Sequence, residues 1–404
     1  MNVAGFDLRL RAPDSKVSVA DYRRVARRRV PRFVWAYIDE GADDLETVRD
    51  NEAAFDRWSF RPRALTGAGD ADLSATVAGV KLDMPLLLAP TGFSGLTRWR
   101  GDIDSSMAAE ACGTRAILST ASSWSLEEVA EACQAPPFFQ LYPREGSTAV
   151  KLMDRAWNAG YRAMYVTVDV PVVGNRRLEQ KRGMGLPPVL TPWRALDLLW
   201  HPLWSFNVLR HGRIGGRTLA TNDDVANTGM EAALEAVAEQ QREIAQARMS
   251  WDDIAWMRDW WKGHFSIKGL TEPEDAEKAV GIGADGIVVS NHGGRQLDFA
   301  SGSLDALPDI AAAVNNRAEI LLDGGVRRGS DVVKAVALGA RAVLVGRPYL
   351  YGLAVNGRQG VEAVLGILRR EMMGTMRLMG AHSMAQLDPG WVKPRAGHHH
   401  PVRS

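Results

Sequence analysis

EILLDGGVRRGSDVVKAVALGARAVLVGR, residues 319–347, holds the repeating unit from which the chain is built. It opens on a short apolar run that ends in Asp323 and two glycines. It continues through SDVVKAVALG (330–339) and closes on a second apolar run, AVLVGR (342–347). Short continuous apolar runs suit strands of a parallel sheet buried on both faces. The mixed stretch between them reads as a helix ended by glycine. The same kind of run recurs at PLLLAP (85–90), RAILST (115–120), PFFQLY (137–142), AMYVTVDV (163–170), HFSIKG (264–269) and GIVVSN (286–291). SLEEVAEAC, AVKLMDRAWNAG and EPEDAEKAVGIG read as helices between them. Eight strands alternating with helices is the count of a closed α/β TIM (β/α)8 barrel, whereas a doubly wound open sheet does not require eight.

One interval breaks the rhythm. About 90 residues separate the fourth and fifth runs, and loops that long are usually functional or disordered. Residues 183–217 of this insertion hold three of the thirteen tryptophans with several arginines, and 229–248 read as a charged amphipathic helix. Before the barrel, Ser18 is placed to cap a helix through YRRVARRRV that Pro31 punctuates. Its arginines 23, 24, 27, 28 and 29 are read as a solvated face, because the acidic run Asp39–Asp44 follows closely. The expected layout is a helical region over 1–83, a barrel over 84–390 with its insertion at 183–250, and a tail over 391–404.

Composition removes several function classes. Forty-nine Lys and Arg against 48 Asp and Glu give a net charge of +1 over 404 residues, without the electrostatic footprint of a dedicated nucleic-acid binder. Two cysteines, Cys112 and Cys133, cannot make a disulfide framework or a cysteine-rich metal site, and both fall in helical stretches suited to the core. No metal-binding motif is present, and the run His398–His400 is read as terminal sequence. The first residues carry charges where a signal peptide needs an apolar core, and no window matches a membrane span. This points to a cytoplasmic protein, soluble or attached to a membrane surface. Gly281-Ile-Gly283-Ala-Asp-Gly286 fits the dinucleotide pattern G-x-G-x-x-G, but it follows a helix and opens a strand, the reverse of what that fingerprint requires.

In such barrels the reactive groups sit at the C-terminal strand ends. Here those ends carry Thr91, Ser119, Gln140 with Tyr142, Thr167 with Asp169, Lys268, Ser290 to His292 with Arg295, Asp323 and Arg347. A single polar strand end is often only a cap, but eight on one rim predict a reaction centre. The glycine turns DGGVRRGSD (323–331) and GRP (346–348) follow the last two strands, where these barrels often hold a phosphate. A phosphorylated cofactor or substrate is therefore expected.

These residues resemble the FMN-dependent α-hydroxy-acid oxidising enzymes, over roughly residues 17–390. SNHGGRQLD (290–298) is the most specific segment, supported by APTG (89–92), QLY (140–142), TVDVP (167–171), KG (268–269), LDGGVRRGSD (322–331) and GRP. The resemblance implies that His292 takes a proton from the substrate hydroxyl or α-carbon, with Asp169 stabilising its imidazolium. It makes Arg295 and Arg176 (in VGNRR) the clamp on the substrate carboxylate, Tyr142 a hydrogen-bonding partner of substrate, and Lys268 a cation beside the flavin that stabilises its reduced anion. Pro90, Thr91, Gly92, Ser119, Gln140, Thr167 and Ser290 would contact the flavin. Asp323, Gly325, Arg327, Gly346 and Arg347 would hold ribityl and phosphate.

Two positions depart from the family pattern. FVWAYIDEGADD (33–44) places Trp35 where a carboxylate-binding tyrosine is expected, and an indole offers a donor only. Tyr37, two positions on, is not taken as its replacement. Gly92 stands where several oxidases carry alanine, which suits dehydrogenase members and an acceptor other than oxygen. The segment LLWHPLWSFNVLRHG (198–212) is similar to the membrane-docking insertion of the quinone-linked mandelate and lactate dehydrogenases, and its Trp, Leu and Arg content suits an interfacial segment over 193–213. The resemblance thus implies an FMN enzyme oxidising a small L-2-hydroxy acid, lactate first and mandelate-like acids second. Electrons would pass to quinone or a similar acceptor, from a homo-oligomer, a tetramer by resemblance, peripheral on the inner face of the cell membrane. A peroxide-producing oxidase, an FMN barrel acting on a modified peptide and a non-catalytic flavin scaffold remain as alternatives. Arg295 argues against the peptide reading.

Overall fold

Each apolar run becomes a strand in a computed structural model of the chain, which describes residues 2–3, 6–7, 16–143, 146–184, 191–219, 235, 238–239, 242 and 249–395. In chain order the barrel strands are β1 (Leu86–Leu88), β2 (Ile117–Ser119), β3 (Phe138–Leu141), β4 (Ala163–Thr167), β5 (His264–Leu270), β6 (Gly286–Val289), β7 (Glu319–Asp323) and β8 (Ala342–Val345). They pair in parallel in the order β1-β8-β7-β6-β5-β4-β3-β2. A parallel bridge between Leu88 and Ala116 joins the first strand to the second, where the Leu88 amide donates to the Arg115 carbonyl at 3.0 Å. That bridge closes the TIM barrel and leaves no free sheet edge.

The strands read as unbroken apolar runs because both faces are covered. Leu87, Tyr165, Val288, Leu321 and Leu344 fill the barrel interior together with Val77 and Leu82. Their neighbours in sequence, Leu86, Leu88, Met164, Val166, Val289, Leu322 and Val343, face the surrounding helices. This is the alternation a pleated strand imposes. Each such side chain contributes roughly 1.5–3 kcal/mol by leaving water. Val77 and Leu82 come from a hairpin (Ala75–Val77 with Val80–Leu82) under the N-terminal ends of the strands, where the Ala78 amide donates to Glu319 at 2.9 Å. With its floor plugged, the barrel is open only at the C-terminal mouth.

The N-terminal helices begin and end where their residues dictate. Ser18 caps Val19–Arg29 in a reciprocal box with Asp21, and Pro31 then starts the helix Arg32–Asp39. Arg23 pairs with Asp39 at 2.6 Å and Arg24 with Asp21 at 3.1 Å, while Arg27 and Arg28 are exposed, so this basic run is a solvated face. In the insertion, Pro192–Trp200 and Pro202–Leu209 form two helices broken at His201, where Pro202 cannot continue the first. Trp204 and Val208 pack inward. Ser122 then hydrogen-bonds Thr218 at 2.6 Å, tying the returning segment to the end of β2.

The amphipathic helix expected over 229–248 falls almost wholly outside the described residues, as do His398–His400. The tail expected from residue 391 begins inside the fold, because Trp391 and Val392 are buried and Val392–Pro394 pairs antiparallel with Trp58–Phe60. Helix Pro273–Gly281 precedes the G-x-G-x-x-G match and β6 begins at its last glycine, so these glycines make a helix-to-strand turn. Cys112 and Cys133 are half-buried helix C-caps. Burial raises both thiols, that of Cys133 to about 11, which leaves little thiolate for nucleophilic work.

Candidate active site

Parallel strands deliver their C-terminal residues to one rim, and there they enclose a cavity of about 320 Å³. His292 lies in it, on the turn after β6, with a left-handed backbone (φ 58°) that turns the ring off the strand direction. Its amide donates to Ser290 Oγ at 3.0 Å, which fixes that turn. Its Nδ1 lies 2.9 Å from Asp169 Oδ1, beyond the end of β4. Gly269 allows this approach, because a Cβ there would sit 2.6 Å from the Asp169 Cβ. Burial lowers the His292 pKa below the ordinary histidine value despite the opposing pull of Asp169. The ring is therefore neutral near pH 7 and able to accept a proton. Burial alone would raise Asp169, but the charge and hydrogen bond of His292, with Lys268 nearby, hold it below the usual carboxylate range.

Two guanidinium groups face the same space. Arg295 donates to the carbonyls of Tyr37 (2.7 Å) and Glu40 (3.2 Å) and to Glu179 Oε1 (3.0 Å), and its plane lies over the Tyr37 ring at 4.9 Å. Arg176 lies 3.8 Å from the other oxygen of Glu179. Burial, and then the charge of Arg295, lower the Arg176 pKa. Burial also pushes the Tyr37 and Tyr142 hydroxyls up to about 12, so both stay protonated donors.

The other half of the cavity has a different character. Lys268 Nζ is buried, 2.7 Å from Asp323 Oδ2 and 2.7 Å from Ser290 Oγ. Burial would lower its pKa, but Asp323 and Asp169 outweigh that and raise it, so the ammonium stays charged. Gln140 Nε2, Thr167 Oγ1 and Asp323 Oδ1 are buried without a hydrogen-bond partner, and all three residues line the cavity. An unpaired buried polar atom costs ~1–3 kcal/mol, so these atoms ask for a ligand with polar edges. An amide donor, a hydroxyl and a fixed cation suit a heterocyclic ring bearing carbonyls. Gly324, Gly325, Arg327 and Gly346 then suit a phosphate, and the helix Arg347–Met379 starts directly after Gly346. These residues fit FMN. Gly325 is obligatory, since at φ 78° a Cβ would overlap the Asn51 carbonyl.

Pro90, Thr91, Gly92, Gln140, Tyr142, Thr167, Arg176, Lys268, His292, Arg295, Asp323, Gly325, Arg327, Gly346 and Arg347 all line this cavity, as expected from their positions in the sequence. Asp169 joins them through His292. Three expectations change. Trp35 is not in the lining: it stacks on Tyr351 with ring centroids 5.8 Å apart, while Tyr37 faces the cavity and donates to the Gly92 carbonyl at 2.9 Å. Two helical positions differ by about 200°, so residues 35 and 37 point to opposite sides of Arg32–Asp39. Ser119 does not line the cavity either. Its hydroxyl donates to Gln140 Oε1 at 3.1 Å and so turns the amide nitrogen free. Ser290 likewise sits behind Lys268 and His292. Arg347 donates to the carbonyls of Asp39, Glu40 and Gly293, bracing two loops over the mouth. Glu179 went unnoticed in the sequence, although an acid one helical turn from Arg176 is a recognisable pairing signal.

The division of the cavity defines the class first: one half suits a phosphorylated ring cofactor, the other a carboxylate beside a base, the layout of a flavin oxidoreductase. Comparison with known proteins narrows this. The family model for FMN-dependent dehydrogenases matches residues 26–394, and the chain belongs to that family, with FMN as its cofactor. It is 40% identical over 383 residues to an L-lactate dehydrogenase of Allorhizobium ampelinum, covering 92% of this chain and 97% of the relative. It is 38% identical over 386 residues to an L-lactate oxidase of a Nostoc species, covering 94% and 99%. Among solved structures, the monotopic membrane protein (S)-mandelate dehydrogenase superposes with a TM-score of 0.89 at 35% identity, covering 95% of this chain and 100% of that one.

Proposed function

We propose that the protein oxidises a small L-2-hydroxy acid to the 2-oxo acid and passes the electrons to a quinone or similar acceptor. The observation that carries this reading is the His292–Asp169 pair at 2.9 Å, opening on the same cavity as Arg295 and Arg176. The arginines would hold the substrate carboxylate, and Tyr37 and Tyr142 would donate to its oxygens. Neutral His292 would then take the proton from the hydroxyl or α-carbon, and Asp169 would stabilise the imidazolium. When bound, FMN supplies the two-electron acceptor. Gln140, Thr167 and Lys268 would hold its ring, with Arg327 and the glycine turns at its phosphate. L-Lactate is the first candidate, and mandelate-like acids are the second.

The choice of acceptor is supported by the insertion. Trp193 (80% exposed) and Trp200 (82% exposed) project from one helix, and Leu203 and Phe206 from the next. Arg32, Lys181, Arg182 and Arg194 ring the cavity beside them. Exposed tryptophans beside cations suit the headgroup layer of an anionic membrane. Among the described residues no helix is long and apolar enough to cross a membrane, so attachment would be peripheral. A tetramer is proposed on the family resemblance alone. Anaerobic bleaching of the bound flavin across a panel of L- and D-2-hydroxy acids tests the reaction, and failure of every L-acid refutes it. Quinone reduction and oxygen consumption distinguish dehydrogenase from oxidase. The docking reading fails if the protein ignores anionic liposomes and deletion of 193–213 leaves quinone reduction intact.

A further inference from the structure

Two arginines beside one substrate carboxylate are one positive charge more than a monocarboxylate needs. Glu179 stands between them. It is carried on the short helix Arg177–Arg182, its side chain is 8% exposed, and it lines the cavity. Its Oε1 accepts from Arg295 at 3.0 Å, and its Oε2 lies 3.8 Å from Arg176. Two of the other lining cations are paired with a carboxylate, and Asp169 faces the neutral His292. Lys268 lies 2.7 Å from Asp323, Asp169 lies 2.9 Å from His292, and Arg327 lies 2.9 Å from Glu52. Arg347 donates to backbone carbonyls. The clamp of Arg176, Arg295 and Glu179 therefore carries one net positive charge, and Asp169, behind His292, adds a negative charge on the substrate side.

We infer that Glu179 sets the charge specificity of the site: it offsets one arginine, so the pocket accepts a 2-hydroxy monocarboxylate and rejects a 2-hydroxy dicarboxylate of similar size. The inference rests on the reading of the cavity as a 2-hydroxy acid site. A second carboxylate entering beside the clamp meets two buried anions, Glu179 and Asp169, while Arg347, the lining arginine without a carboxylate partner, follows Gly346 in the half suited to a phosphate and has three N–H groups held by carbonyls; burying an unmatched charge is costly. A carboxylate that merely held the arginines in place would affect all acids alike, whereas one that offsets charge separates ligands by their charge.

The test uses L-malate and its 4-amide, which share a shape and differ by one charge. Each competes against bleaching of the flavin in the holoenzyme by its best monocarboxylate substrate. In the wild type the amide should bind at least about tenfold more tightly than malate, tenfold being ~1.4 kcal/mol. In Glu179→Gln the ratio should shift toward malate by at least about tenfold, and Glu179→Asp should keep the wild-type preference. Equal binding of malate and amide by the wild type overturns the inference, whether or not the Gln variant folds. So does a Gln variant that weakens both ligands equally. A wild-type flavin that no 2-hydroxy monocarboxylate bleaches overturns the functional reading and this inference with it, whereas bleaching without charge preference removes the inference alone.

Discussion

Replacing Asp169 by Asn isolates the charge behind the proposed base. The amide oxygen can still accept from His292 Nδ1, so the ring orientation can be kept while the negative charge is lost. At the observed 2.9 Å separation, Coulomb's law with an effective dielectric of ~20 gives about 6 kcal/mol as a ceiling for stabilising the imidazolium. The retained hydrogen bond and local relaxation reduce this to ~2–4 kcal/mol, or roughly a 30- to 1000-fold loss in the rate of flavin reduction. The pH profile gives a second, signed readout. Burial holds His292 below the ordinary histidine value near 6.5, with Lys268 and Arg176 pushing the same way and Asp169 pulling it up. Loss of activity on the acid side follows protonation of the base, so the acid limb of kcat/KM in the wild type should lie below pH 6.5. Without Asp169 the upward pull disappears, and the limb should move further toward acid while the plateau falls. Anaerobic stopped-flow bleaching at several pH values, with the flavin-to-protein absorbance ratio as a control, measures both. A plateau within about threefold of wild type, or an acid limb that moves to higher pH, would refute the role given to Asp169.

Three further substitutions probe separate parts of the site. Tyr37→Phe removes the hydroxyl that bonds the Gly92 carbonyl and faces the cavity, so KM should rise several-fold, whereas Trp35→Phe should leave KM unchanged; steady-state kinetics on both separates them. Gly325→Ala forces a Cβ against the Asn51 carbonyl at a left-handed backbone position, so the variant should purify with little FMN and a lower Tm. Lys268→Met leaves Asp323 buried without its partner at a cost of ~3–5 kcal/mol, which thermal unfolding will register as a fall in Tm alongside weaker flavin retention.

The barrel was legible in the sequence because parallel strands covered on both faces cannot alternate. PLLLAP and AVLVGR announce buried strands whatever their tertiary neighbours. The rim was legible for a related reason: with strands given, the polar residue ending each run must fall at one mouth, which placed Gln140, Lys268, His292 and Asp323 correctly. What failed was phase and depth. Trp35 and Tyr37 are near in sequence but lie on opposite sides of a helix, and Tyr37 faces the cavity with its neighbour Ile38, one turn on from the buried Val34. Ser119 and Ser290 end their strands as Gln140 does, yet a short side chain reaches only the neighbouring residue, so each positions a longer group. Arg347 lines the cavity as expected, and its fixing there was not legible: three of its five N–H donors go to carbonyls that only the fold brings together. Glu179 was hidden in RRLEQKR, where one acid among cations looks like surface, and only the fold brings Arg295 onto it from 116 residues away.

The central claim is that His292 is the base for oxidation of a 2-hydroxy acid in this cavity. His292→Ala removes that base, while the residues lining the flavin half keep their contacts. Titrated anaerobically with L-lactate and its homologues, the wild type should bleach within its turnover time. The variant should bind FMN to the same occupancy and bleach ~10²–10⁴-fold more slowly. A His292→Ala protein that reduces its flavin at close to the wild-type rate would contradict the account.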